Sequence, residues 1–271
     1  MKKFASAMIV LLMLPFESVV AQSDEQGTPT SNSKEFLESF DASIKILEER
    51  NFGDSLESPS LNAITDPISV ARLKTMRDEK PITGVSTGES GLLYDVILQP
   101  GHYLRTKGAV GTAGKSVSER ALVAYITGKL AERLRSQSIS VLIISADDFL
   151  RGKPGLQGKI FLAIHADGNK IPCSSGPSMG YERKSSMLAM HTIGLGLSQA
   201  LGYQYNDFMR DNLTVNESKY YMFSQVRTTL MKGLLEIGEL TCEAQEDQLV
   251  INADSVAANL ARALNFLLAM P

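Results

Sequence analysis

The sequence predicts an α/β fold: a mostly parallel, twisted sheet flanked by helices, with a helical N-terminal extension. Three observations support that expectation. Strand-like and helix-like segments alternate from Leu92 onward, the pattern of a sheet built through crossover connections. The runs Val141-Leu142-Ile143-Ile144 and Ile160-Phe161-Leu162-Ala163-Ile164 are apolar throughout rather than at alternate positions, as in strands buried on both faces. The chain has 271 residues, 44% hydrophobic and 21% charged, which suffices for a core of full size and excludes collagen-like, disordered and disulfide-scaffold proteins.

Residues 1–21 read as an export signal, because Lys2 and Lys3 precede an apolar run from Ala5 to Phe16 and Val19-Val20-Ala21 forms a cleavage site. The run is about a dozen residues, short of the roughly 20 that span a bilayer, so no stable membrane insertion is expected. Residues 22–90 read as a linker with helices. Gln22 to Lys34 is polar and has no apolar face to bury. Asn32 and Glu35 have capping-box spacing, and Phe36, Phe40, Ile44 and Leu47 recur every three to four residues, predicting a helix that ends near Gly53. Asp66-Pro67 starts a second short helix through about Asp78, and Pro81, Gly84 and Gly88 make a linker.

Residues 91–271 form the α/β domain. Strands are expected at Leu92 to Leu98, Ile139 to Ser145, Lys159 to Ala166 and Thr229 to Glu236. Helices are expected at Ser118 to Arg135, Ser185 to Leu201 and Ala253 to Leu268. With 27 Lys and Arg against 30 Asp and Glu, and no long block of one sign, a phosphate-neutralising groove is not expected and nucleic acid is a poor partner. Cys173 and Cys242 are an even pair, which allows one bridge in an oxidising compartment without requiring it.

Ligands of open α/β sheets gather at the carboxyl ends of the strands, and four unusual polar residues fall there. His102 follows the first strand after the turn Pro100-Gly101; His165 ends the strand Lys159 to Ala166; Glu236 ends the strand containing Leu234-Leu235. Glu119 lies in the first helical turn after the first strand, one turn below the stripe of Leu122, Val123, Ile126, Leu130 and Leu134, and so points inward. A helix N-terminus favours such an acid by roughly 0.3–1 kcal/mol, which is an ordinary structural explanation for it. Two imidazoles and one carboxylate are also a catalytic zinc set that leaves a fourth position open. His191, mid-helix between Met187 and Leu195, is expected to be structural.

These segments resemble the zinc-dependent N-acetylmuramoyl-L-alanine amidases of the amidase 3 type. Ile97-Leu98-Gln99-Pro100-Gly101-His102 is similar to the family's first-strand motif, Ser118-Glu119-Arg120-Ala121-Leu122 to the start of its next helix, and Ala163-Ile164-His165-Ala166-Asp167 to its Ser-Ile-His-Ala-Asn. Leu234-Leu235-Glu236-Ile237-Gly238 resembles its Val-Glu-x-Gly segment, and Gly108-Ala109 with Gly111 its Gly-Ala-x-Gly stretch. The resemblance covers the domain from about Leu92 to the closing helix. It implies Zn2+ held by His102, Glu119 and His165, Glu236 as catalytic base, and hydrolysis of the amide between the muramoyl lactyl group and L-alanine of peptidoglycan.

Departures fall in the loops. Tyr103-Leu104 stands where the family has Gly-Gly, Gln99 where it has Asp, and Gly238-Glu239-Leu240-Thr241-Cys242 where it has Gly-Phe followed by Ser/Thr-Asn. Altered loops leave open a zinc peptidase acting within the stem peptide, and a non-catalytic wall-binding module is a further alternative. Cys173 and Cys242 each follow a site strand within eight residues, so a bridge bracing the rim is expected. A monomer in the periplasm, or secreted, is expected. The helix at Phe36 to Leu47 either packs on the catalytic domain or docks a protein activator or wall partner.

Overall fold

The computed structural model describes residues 64–79, 81–86, 92–105, 108–146, 155–182, 186–203 and 219–270. The chain divides into two units, Met1–Asp54 and Ser55–Pro271. The expected export signal, polar leader and helix at Phe36 to Leu47 lie outside the described residues.

The described part of the second unit opens with α1 (Pro67–Arg77) and continues through β1 (Leu93–Pro100), α2 (Glu119–Arg135), β2 (Val141–Ile143), β3 (Leu156–Asp167), β4 (Ser178–Tyr181), α3 (Met187–Leu201), a 3-10 turn (Tyr221–Ser224), β5 (Val226–Glu239) and α4 (Glu243–Ala269). The five strands form one sheet in the order β2-β1-β3-β5-β4. Strands β1, β2, β3 and β5 run parallel, and β4 pairs antiparallel with β5 at the edge. The expected mostly parallel, helix-flanked sheet is therefore the observed one. Among the described residues, no helix is long and apolar enough to cross a membrane.

Register decides which side chains meet. Ile97 pairs with Phe161, Gln99 with Ala163, Ala163 with Leu234, and His165 with Glu236, so these residues share one face of the sheet. Ile97, Phe161, Ala163 and Leu234 pack there with Met222 and Phe223 of the 3-10 turn, and Tyr220 lies against that cluster. Val96, Leu98, Ile160, Leu162 and Ile164 alternate onto the opposite face, where helices pack; every one of them is fully buried. Such two-sided burial explains why β1 and β3 lack an alternating pattern.

Strand β2 is shorter than expected and β3 begins three residues before Lys159, and three further elements differ. Strand β5 begins three residues earlier and ends three later than Thr229 to Glu236, so Glu236 lies within the strand rather than at its end. The polar-leaning start (Arg227, Thr228) had hidden its length, and a register shift between His165 and Asp167 lets pairing continue past the site. Helix α4 starts at Glu243, ten residues before the expected Ala253, because the polar run Gln245, Glu246, Asp247 and Gln248 dilutes the apolar stripe. Strand β4, Ser-Met-Gly-Tyr, has no β-branched residue and gave no strand signal.

Helix α1 is capped by Asp66, whose carboxylate accepts from Ser69 N at 2.8 Å, with Pro67 opening the first turn. It is tied to the domain by Arg72. That guanidinium donates to Asp254 Oδ2 (3.0 and 2.8 Å) and to the carbonyls of Val250 (3.0 Å) and Ile251 (2.7 Å), while Tyr125 donates to Asp254 Oδ1 at 3.0 Å. One side chain thus pins α1 to α4, and α2 joins through the shared carboxylate. Replacing Arg72 with Met keeps the aliphatic stem and removes these bonds; a loss of about 1.5–3 kcal/mol is expected. A urea midpoint that falls at unchanged m would show it, and an unchanged midpoint would refute it.

Candidate metal centre

The carboxyl ends of β1, β3 and β5 face one rim because the three strands are parallel. Strand β1 delivers His102 through a tight turn: Gly101 N donates to Ile164 O at 2.8 Å, and His102 adopts a left-handed φ of 57°. That turn needs glycine at its first position, since a Cβ on Gly101 would stand 2.5 Å from His165 Nδ1. Strand β3 delivers His165, which is 8% exposed, at the end of its buried run.

Glu119 enters from the first turn of α2, capped by Ser118 Oγ accepting from Ala121 N at 3.2 Å. At 3% exposure its carboxylate must be compensated. Thr112 N donates to Oε2 at 2.9 Å and Ala166 N to Oε1 at 3.2 Å. Burial alone would push this carboxyl up, and the Thr112 amide counters it. Gly111, at φ 89°, leaves room for it: a Cβ there would meet Glu119 Oε2 at 2.8 Å and the His102 ring at 3.0 Å.

The three side chains converge. His165 Nδ1 lies 3.0 Å from Glu119 Oε1, and His102 Nε2 lies 3.5 Å from Glu119 Oε2. One ligand atom from each residue falls within 4.8 Å of the others. Metal–ligand bonds of about 2.0–2.2 Å in a tetrahedral site separate neighbouring donors by roughly 3.4 Å, which the 3.0 and 3.5 Å contacts bracket, so the cluster could hold a divalent ion such as zinc. His102 Nδ1 sits 2.8 Å from Ala109 O, an acceptor only, so Nδ1 bears the proton and Nε2 presents its lone pair to the centre. The Arg105 guanidinium donates to the same Ala109 carbonyl (3.3 Å) and to Ala146 O (3.1 Å).

Glu236 pairs in register with His165 and is half-buried beside it on the same sheet face. His191, in α3, is not part of the cluster. Tyr220, which the sequence did not bring forward, places its hydroxyl 3.2 Å from His165 Nε2 and 2.6 Å from Gln99 Oε1. Burial, with Tyr221 and Glu236 nearby, holds its phenol well above the ordinary range, so the hydroxyl keeps its proton.

Two further acids brace the rim. Glu246, fully buried in the first turn of α4, accepts from the amides of Lys115 (2.9 Å), Ser116 (2.7 Å) and Val117 (2.8 Å), clamping the loop that leads into Glu119. Glu239, also fully buried, accepts from Cys173 N (2.9 Å), Ser175 N (2.7 Å), Ser175 Oγ (3.0 Å) and Thr241 Oγ1 (2.5 Å). The expected disulfide joins Cys173 to Cys242, so the loop after His165 is fastened to the β5–α4 corner twice. Acids in a helix's first turn were a readable signal for Glu246; nothing local marked Glu239.

The fold is that of known cell-wall amidases. The catalytic domain of CwlV, an N-acetylmuramoyl-L-alanine amidase from Bacillus (Paenibacillus) polymyxa var. colistinus, superposes with a TM-score of 0.51 at 18% identity, over 64% of this chain and 97% of that one. An N-acetylmuramoyl-L-alanine amidase from Clostridium difficile 630 gives 0.50 at 18% identity, over 66% and 99%. The catalytic domain of an endolysin targeting Clostridia difficile gives 0.51 at 14% identity, over 64% and 97%. No family model matches the sequence, and no curated protein matches it significantly.

Two outcomes follow from the braces. Burial raises the Glu239 carboxyl, but the hydrogen bonds of Thr241, Ser175 and Cys173 outweigh it and leave the group below its usual range. A folded pKa depressed in this way contributes stability above the unfolded value of about 4.3 and loses it as pH falls through the folded one. The melting-temperature gap between wild type and Glu239→Gln should therefore be full near neutrality and shrink as pH falls below about 4.3; a gap independent of pH would contradict the assignment. Removing the disulfide with Cys173→Ser and Cys242→Ser frees a loop of sequence separation 69. The chain-entropy model puts the cost at roughly 4 kcal/mol, readable by denaturant unfolding.

Proposed function

We propose that this chain is a zinc-dependent N-acetylmuramoyl-L-alanine amidase, which hydrolyses the amide between the muramoyl lactyl group and L-alanine of the peptidoglycan stem peptide. The observation behind this reading is the convergence of His102, Glu119 and His165 donor atoms within 4.8 Å at the sheet's rim, with Glu236 in register beside His165. The shared fold of the solved amidases and the ordered motif resemblance support it.

The chain's residues divide the work. His102 Nε2, a Glu119 carboxylate oxygen and His165 would hold the ion. Zinc bound there supplies a Lewis acid for the scissile carbonyl and lowers the pKa of a water toward about 7. Glu236 accepts the proton of the attacking water at its carboxylate and returns it to the amine nitrogen of L-alanine. The C–N bond breaks, a C–O bond forms, and one water is consumed. Braced loops keep the donors in place, so little reorganisation accompanies the charge that develops. The disulfide and the expected signal at residues 1–21 support action in the periplasm or outside the cell.

Metal analysis and digestion of purified sacculi test the reading. The full chain after export should contain stoichiometric zinc and release intact stem peptides with a free L-alanine amine. Glu236→Gln should keep the zinc and lose at least roughly 100-fold in rate. Undiminished turnover by Glu236→Gln removes the base assignment. Cleavage inside the stem peptide favours a zinc peptidase instead, and stoichiometric zinc with no product a binding module.

A further inference from the structure

The hydrogen bonds behind His165 have a direction, and it is set at a backbone carbonyl. Ser145 O, just beyond β2, can only accept. Gln99 Nε2 lies 2.9 Å from it, so the amide nitrogen of Gln99 points there and its oxygen points the other way. The opposite amide orientation would set two acceptor oxygens against each other. Tyr220 OH stands 2.6 Å from Gln99 Oε1 and must donate to it. With its proton committed, the phenol oxygen faces His165 Nε2 at 3.2 Å as an acceptor. His165 therefore bears its proton on Nε2, and Nδ1 presents a lone pair to Glu119 Oε1, 3.0 Å away.

Gln99 is fully buried, and the phenol of Tyr220 packs edge-on against the imidazole, ring centroids 5.5 Å apart. Gln99 cannot exchange its partners for bulk water. Two lone pairs facing across 3.0 Å are satisfied by a cation shared between them, which is the role of the centre described above.

We propose that Tyr220, oriented by Gln99, is a positioning residue that fixes the tautomer and rotation of His165 so that Nδ1 is its metal-binding atom. This rests on the zinc reading and adds residues outside the ligand set to it. His102 is fixed by a different device, a main-chain carbonyl on Nδ1, so the two imidazoles bind through opposite nitrogens. Ligand geometry at the centre thus depends on a side-chain relay reaching back to the end of β2.

Long-range proton–nitrogen NMR of the full chain, metal-free and at a pH where imidazole is neutral, reads the tautomer directly. Spectra of His165→Gln assign the resonances. Wild type should show His165 protonated on Nε2, and Tyr220→Phe, which keeps the ring, should show a mixture of tautomers. Zinc titration against a competing chelator should give Tyr220→Phe an affinity about 10- to 100-fold weaker. Gln99→Leu should weaken zinc in the same direction, and it serves as the second variant if Tyr220→Phe fails to fold. Zinc uptake by a wild type whose His165 is protonated on Nδ1, or unchanged affinity and tautomer in both variants, overturns the relay alone. A wild type that takes up no zinc overturns the functional reading and the relay's metal role with it.

Discussion

A carboxylate sealed at the N-terminus of α2 is the constraint around which the rim is built. Glu119 is cut off from solvent, and elements nearby are arranged to make that tolerable: the amides of Thr112 and Ala166 and the first turn of the helix. Space is reserved for it as well as charge. Side chains are missing at Gly101 and Gly111 where any Cβ would strike His165 or Glu119. The loop that supplies Thr112 is held by Glu246 from a distant helix, so packing of the C-terminal half of the chain reaches Glu119.

Parallel pairing supplies the rest of the geometry. His165 and Glu236 are separated by 71 positions in the sequence, yet β3 and β5 align them as direct partners. A slip of one residue would turn one of the two side chains to the opposite face. The buried runs preceding them, Ile160 to Ile164 and Leu234-Leu235, make such a slip costly, because every side chain in those stretches would exchange faces. Core packing therefore fixes the spacing of His165 and Glu236 without any contact between the two being needed.

These features were unevenly readable in the sequence. Continuous apolar runs announced buried parallel strands, and the inward placement of Glu119 followed from the helical stripe beginning at Leu122, so the cluster could be anticipated from residue type and position. Glu236 was identified, but its strand was not followed to Glu239, because pairing beyond a bulge leaves no periodic trace. The relay behind His165 was invisible. Gln99 stood out only as a departure from a motif, and Tyr220 lies 55 residues from its imidazole, in a stretch with no regular pattern. Hydrogen-bond networks between remote side chains depend on tertiary approach, whereas periodicity reports only on local elements.

The loops at this rim are held by groups outside the His102, Glu119 and His165 cluster. The loop after His165 is fastened by the Cys173–Cys242 bridge and by Glu239, and the loop before Glu119 by Glu246; both acids are fully buried and each accepts from several donors. Acids used in this way hold backbone rather than substrate, and their desolvation is offset by the amides they bind. A site fastened from behind leaves its outward loops free to differ. Leu104 and Val110, on the two sides of the loop between His102 and Glu119, are exposed, and neither bears on the donor set. Side chains can differ there without moving the His102, Glu119 and His165 donor atoms.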